Sequence, residues 1–211
     1  MSRGDTVILA AGNFPRKGGE AWRLLENAKR VVACDSAADA YRRRFGRWPT
    51  VAVGDMDSAK GALAAGSGCR VVRISEQDDN DLAKAAAYCR EKGWRNPIIV
   101  GACGKREDHT IGNVFRALDL GLKIVTDHGS FVPLCGKKTF AVRPGTAISV
   151  FAPNPATHME SRGLEWPLKG VRFRNLYCAT LNRATTSRIT LESDCPVLVF
   201  IMERQHDFIR V

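Results

Sequence analysis

The sequence predicts an α/β protein: an open, mainly parallel α/β sheet domain over residues 1–130, followed by a smaller all-β sandwich domain over 131–211. Two patterns carry that expectation. Up to about residue 125, short Val- and Ile-rich runs alternate with helix-period segments, as in a parallel sheet covered on both faces. Past about residue 130, strand-like runs follow one another between Pro and Gly turns with no long amphipathic segment, as in short antiparallel strands.

The apolar runs of the first part are TVILAAG (6–12), VVACD (31–35), VAVGD (51–55), VVRIS (71–75), PIIVGA (97–102) and KIVTD (123–127). They show little polar alternation, so each reads as a strand buried on both sides. A helix is expected over 81–92, with Asp78 or Asn80 as cap and Gly93 at its end. A second is expected over 109–120, where Ile111, Val114, Phe115 and Leu118 share a face, Asp108 stands at the N-cap and Gly121 follows. The second part offers strands at 139–143, 146–152, 187–193 and 196–203, with Pro144-Gly145 as one of the turns.

Composition narrows the class. Hydrophobic residues at 45% and charged residues at 26% are ordinary for a globular chain and argue against disorder. A net charge of +10 favours anionic partners: nucleic acid, a membrane surface or a polyphosphate. No apolar run approaches the roughly 20 residues that span a bilayer, so no membrane association is expected. The first residues have flanks unlike those of a secretory leader. The seven cysteines are scattered with no C-x-x-C pair, which reads as reduced thiols in the cytoplasm rather than a disulfide frame or a zinc site.

The chemistry concentrates where strands end. In Val51-Ala-Val-Gly-Asp-Met-Asp-Ser58 a buried strand runs into two carboxylates one residue apart. In extended chain, positions i and i+2 point the same way, so Asp55 and Asp57 are expected to face one space. Two carboxylates with substrate phosphate oxygens make a Mg2+ site; a turn in which Asp and Ser cap the backbone would explain the same residues. In EQDDNDLAK (76–84), Asp81 and Lys84 share a helix face, although helix capping alone accounts for much of the acidity. In Gly101–Asn113, Lys105, Arg106 and a helix start suit phosphate, while the glycine spacing excludes a Walker A loop. His109 and Asn113 lie together, away from the apolar face, and no second His or Cys stands at metal-ligand spacing from His109. Cys34-Asp35-Ser36-Ala37 ends another strand with an acid and small residues. An open parallel sheet gathers such ends at one edge, and mixed signs there suit a metal-bound nucleotide.

These segments together resemble the thiamin pyrophosphokinase family over nearly the whole chain: CDSAAD (34–39), GDMDS (54–58), EQDDNDLAK (76–84), GKREDHTIGN (104–113) and TLN (180–182). The resemblance implies Mg2+-dependent transfer of a pyrophosphoryl group from ATP to the thiamine hydroxyl, releasing AMP. It also implies a homodimer with thiamine at the subunit interface. By motif position, Asp55, Asp57 and Asp81 correspond to the metal-site carboxylates, and Lys84 and Arg106 join them as catalytic residues. Asp35, Ser36, Gln77, Asp108, His109 and Asn113 correspond to the nucleotide and active-site set. Trp166 corresponds to a thiamine-stacking aromatic, and Thr180, Leu181 and Asn182 to a thiamine-contacting turn. An aromatic face does attract a cationic thiazolium; a core or interface tryptophan is the plainer reading. The chain departs from the family at Ser36 (commonly Gly), at Asn80 (commonly Thr) and at Arg183, where an acid is expected.

Two other functions fit the composition. One is a different Mg-nucleotide-dependent transferase. The other is a basic nucleic-acid-binding protein using Arg42-Arg43-Arg44 and Arg47, or Arg162, Lys169, Arg172 and Arg174. The absence of a recognition-helix or RNP-type signature makes nucleic acid the less expected partner.

Overall fold

The structure is a computed structural model that describes residues 5–57, 59–64, 67–76 and 79–203. The chain divides into two compact units between Asp127 and His128.

The first unit holds strands β1 (Thr6–Leu9), β2 (Arg30–Cys34), β3 (Val51–Gly54), β4 (Val71–Arg73), β5 (Ile98–Val100) and β6 (Ile124–Val125). Its helices are α1 (Glu20–Asn27), α2 (Ala37–Phe45), α3 (Asp81–Glu91) and α4 (Glu107–Leu120). All strand pairs here are parallel, in the order β6-β5-β1-β2-β3-β4. Every residue of β1 and β3 is buried, as a strand covered on both faces must be. One core cluster packs Val7, Leu9, Leu25, Val31 and Tyr41 against the sheet. Beside it Trp22 and Tyr41 both pack on Phe45, with ring centroids 4.7 Å apart in each pair.

Because β1 lies between β2 and β5, the chain leaves β1 toward one edge and returns to build the other. That reversal opens a crevice beyond the carboxyl ends of β1 and β5. The loops leaving those strands touch each other: the Gly12 N–H donates to Gly101 O (2.8 Å) and the Asn13 N–H to Cys103 O (2.8 Å). A Cβ on residue 12 would stand 2.5 Å from both Gly101 O and Cys103 O, so only glycine permits the approach.

The second unit holds β7 (Gly129–Ala141), β8 (Ala147–Phe151), β9 (Met159–Arg162), β10 (Ala179–Arg183) and β11 (Arg188–Met202), paired antiparallel. β7 and β11 pair along their length. β9 joins the first half of β11, β8 joins its second half, and β10 extends β8. The long pair thus serves both layers of a sandwich. Ile189 and Leu191 from one half and Val197 and Val199 from the other meet in a single core with Ile148, Val150 and Phe173.

Several boundaries differ from the sequence reading. The runs at 6–12 and 97–102 leave the sheet at Leu9 and Val100, the second where Gly101 at φ +67° turns the chain. Segments 187–193 and 196–203 form one strand. Pro196, which reads as a break, sits in a bulge where Asp194–Pro196 lie opposite Cys135 and no ladder N–H is required. Likewise 139–141 is the tail of β7, and 142–143 lie beyond it. Asp108 is not a cap: α4 begins two residues earlier, at Glu107, with Arg106 at the N-cap position and no side-chain cap bond.

No helix among the described residues is long and apolar enough to cross a membrane. Leu191 has 0% exposure in the core of the second unit. Leu191→Ala is expected to cost about 2–5 kcal/mol, read as a lower urea midpoint at unchanged m-value; an unmoved midpoint would remove it from the packed core.

Candidate active site

Loops at the carboxyl ends of β1, β2 and β5, the residue after β3, and the first turns of α3 and α4 surround a cleft of about 520 Å3, a volume ordinary for a small-molecule site. Positive φ recurs along its rim. Of the five non-glycine residues with positive φ among the described residues, Asp35 (45°), Met56 (68°) and Lys105 (62°) belong to these loops. Such backbone strain gathers at functional sites.

Asp35 follows β2 and is 7% exposed, with its N–H donating to Val53 O (3.0 Å). Gly54 closes β3 at φ +155°. A Cβ there would lie 3.2 Å from the Asp35 Cβ and 3.3 Å from Asp81 Oδ1, so the missing side chain makes room for two acids. Asn80 caps α3, its Oδ1 accepting the Ala83 N–H (3.0 Å), which sets Asp81 in the first helical turn. Lys84, one turn on and 5% exposed, has its ammonium 3.8 Å from Asp81 Oδ1.

Burial raises the Asp81 carboxyl above its usual range. Lys84 pulls it back down, and the negative charges of Asp55 and Asp35 push it up again. Beneath it the buried Cys34 thiol donates to Asp81 O (3.5 Å). Burial, then the charge of Asp81, raises this thiol well above normal, so it adds no further negative charge.

On the opposite wall Lys105 Nζ donates to Ala11 O (2.7 Å), fastening the loop after β5 to the loop after β1. Arg106 Nε donates to Asp108 Oδ1 (3.1 Å), and this bond is the main reason the Asp108 carboxyl falls to about 2. Asn113 donates to Ala102 O (2.9 Å) and accepts from Asn80 Nδ2 (3.3 Å), joining α4 to the cap of α3. Arg116 pairs with Asp79 just before that cap.

Asp35, Ser36, Asp55, Asp81, Lys84, Arg106, His109 and Asn113 all line the cleft. Asp57 and Asp108 are not among its lining residues. The extended-chain argument for Asp57 fails at Met56, whose left-handed backbone folds the chain so that the Asp57 N–H donates back to Asp55 Oδ1 (3.1 Å). An Asx turn, not a strand, carries the pair. Gln77, Ser58 and Asp78 lie outside the described residues. Sequence reasoning missed Ala10, Ala11 and Gly12, which line the cleft, and Asp79 with its partner Arg116. The first group had a legible signal: small residues directly after a buried strand, the feature that singled out Ser36 and Ala37.

Among the described residues no three acidic, His or Cys side chains form a ready-made metal cage. The donors that do converge are hard oxygen ligands; burial first, and then the nearby charges of Asp55 and Asp35, hold the Asp81 carboxyl above its usual range. That combination fits Mg2+, which takes one or two carboxylates and otherwise waters and substrate phosphates.

In the second unit Trp166 is 54% exposed and Leu181, at φ +63°, is 83% exposed. Thr180 Oγ1 donates to Tyr177 O (3.0 Å). Asn182, expected at a ligand-contacting turn, is 4% exposed and bonded to the backbone of Trp166.

Comparison with known proteins gives this geometry a family. The model for the thiamin pyrophosphokinase catalytic domain matches residues 21–126, and that for the thiamin pyrophosphokinase substrate-binding domain matches 129–200. Thiamin pyrophosphokinase 1 of Caenorhabditis elegans is 26% identical over 222 residues, covering 88% of this chain and 84% of that protein. Solved structures share the fold. Thiamine pyrophosphokinase from Bacillus subtilis superposes with a TM-score of 0.68 at 20% identity, over 93% of this chain and 98% of its own. Thiamin pyrophosphokinase from Candida albicans gives 0.72 at 15%, over 93% and 88%. The chain, with its acidic cleft in the catalytic part and Trp166 in the substrate-binding part, belongs to the thiamin pyrophosphokinase family and is an enzyme of thiamine pyrophosphorylation.

Proposed function

We propose that ATP is the pyrophosphoryl donor and that the reaction depends on Mg2+ in the cleft of the first unit. The observation that supports this most directly is the meeting of Asp35, Asp55 and Asp81 with Lys84, Lys105, Arg106 and the first turn of α4 around one space. Carboxylates alone would repel a polyphosphate and cations alone would leave no place for a metal; the mixture suits both.

The thiamine hydroxyl oxygen forms a bond to the β-phosphorus of ATP and gives up its proton to water. The bond from that phosphorus to the α–β bridging oxygen breaks, and AMP leaves with that oxygen. Such transfer needs alignment and charge stabilisation more than a strong base. Asp55 and Asp81 would hold Mg2+, with Asp35 beside them and Asp57 on the turn closed over Asp55. When bound, Mg2+ neutralises phosphate oxygens and fixes the polyphosphate's orientation. Lys84, held rigid by burial, and Arg106 offset negative charge on the transferred group. The N-terminal turn of α4, with His109 and Asn113, faces the nucleotide, where helix amides favour anions. Lys105 keeps the two strand-end loops together beneath it.

Trp166 stacks on the cationic thiazolium, with the Thr180–Asn182 turn beside it, and two subunits assemble with thiamine at their interface. The enzyme works in the cytoplasm, consistent with seven free cysteines. Part of the basic run is engaged within the chain itself, since Arg42 lies over Trp48 (5.8 Å) and Arg44 over Phe14 (5.6 Å).

Incubation with ATP, Mg2+ and thiamine is expected to yield thiamine diphosphate and AMP by mass spectrometry. Formation of ADP with thiamine monophosphate would refute the pyrophosphoryl assignment. Chelation of divalent ions with EDTA is expected to abolish turnover and added Mg2+ to restore it; persistence of activity in EDTA would exclude the metal. Asp55→Asn and Asp81→Asn should each lower kcat by about 100-fold or more at saturating Mg2+, and Asp57→Asn by less. Near-normal rates for the first two in a steady-state assay would dismantle the site.

A further inference from the structure

We propose that Asn182 is a positioning residue for thiamine binding, holding Trp166 at a fixed angle with its side-chain amide rather than touching the substrate. This rests on the reading of Trp166 as the aromatic platform.

The segment carrying Trp166 runs antiparallel to the end of β10. Leu164 bridges Ala184, and the Glu165 N–H donates to Arg183 O (2.8 Å). The backbone ladder stops there for two reasons. Leu181 is left-handed at φ +63°, within the register shift between Ala179 and Asn182, so β10 turns away. Residue 167 is proline and has no N–H to offer. The Asn182 side chain supplies the next rung. Its Nδ2 donates to Trp166 O (2.7 Å) and its Oδ1 accepts the Trp166 N–H (3.2 Å), so an amide side chain pairs with a backbone amide as a neighbouring strand would. The same Oδ1 accepts the Arg183 N–H (2.8 Å).

The amide orientation follows from its partners, since two N–H donors face the oxygen and one carbonyl faces the nitrogen. Both acceptor positions and one of two donor positions are used. At 4% exposure, little of Asn182 remains to meet a ligand, whereas Trp166 is 54% exposed. The arrangement puts the rigidity in one residue and the contact surface in the other. Removing the amide leaves two backbone groups of Trp166 without partners and frees the ring to reorient.

A double-mutant cycle on thiamine KM separates positioning from contact. Asn182→Ala is expected to raise thiamine KM by about tenfold or more, leaving ATP KM and kcat at saturating thiamine within about twofold. Trp166→Ala should also raise thiamine KM, and the double variant should be no worse than Trp166→Ala alone. Multiplying effects in the double variant would mean that Asn182 meets thiamine itself, overturning the proposal while leaving the platform intact. An unchanged thiamine KM in Trp166→Ala would instead remove the platform reading, and this one with it. Asn182→Asp keeps the accepted bonds but sets an oxygen against Trp166 O; it should raise thiamine KM, and it serves in the cycle if the alanine variant does not fold. A lowered KM in Asn182→Asp, as expected for an acid touching a cation directly, would also overturn the assignment.

Discussion

Negative charge brought together in a partly buried cleft is the constraint around which the first unit is arranged. Asp81 is partly buried, close enough to Asp35 and Asp55 for their charges to raise its carboxyl, and only Lys84 among the named influences opposes this. A fold tolerates such a cluster when rigid elements hold the acids and something cationic completes them. The surroundings fit that demand. Asn80 caps the helix that carries Asp81, Gly54 leaves room between Asp35 and Asp81, and the Cys34 thiol stays neutral beneath them.

The same unit shows how a sheet turns strand order into a site. Since β1 lies beside both β2 and β5, successive crossovers diverge and leave a gap that neighbouring loops must line. Contacts across the gap are backbone to backbone at Gly12, Gly101 and Cys103, with Lys105 reaching Ala11. These close the floor and leave side chains of α3 and α4 to face the cleft. Asn113 and the Arg116–Asp79 pair then tie α4 to the start of α3, so the two walls are set relative to each other by polar bonds at their base.

The second unit solves a different problem: exposing a large aromatic ring without letting it wander. Most of its apolar side chains fill a core shared by both halves of the β7–β11 pair. Trp166 and Leu181 stay outside that core, and each is followed by a residue that restricts the chain, Pro167 and the buried Asn182. A stiff backbone beneath an exposed ring reduces the entropy lost when a ligand stacks on it.

Much of this was legible from sequence because its causes are local. Buried runs such as VVACD and VAVGD declare a parallel sheet by composition, Asp78 or Asn80 marks a helix start, and acids placed just after strands must reach the carboxyl edge of that sheet. Asp35, Asp55, Asp81, Lys84 and Arg106 therefore come together as their chain positions imply. What remained hidden depends on partners distant in sequence or on single backbone angles. The left-handed Met56 turned an expected pair of parallel carboxylates into an Asx turn, and Arg106 rather than Asp108 occupies the N-cap of α4. Arg116 found Asp79 across 37 positions, and Asn182 found the Trp166 backbone across 16. Periodicity reports which face of an element is apolar; it carries no information on which polar group another segment will present there, because that is set only when the chain packs.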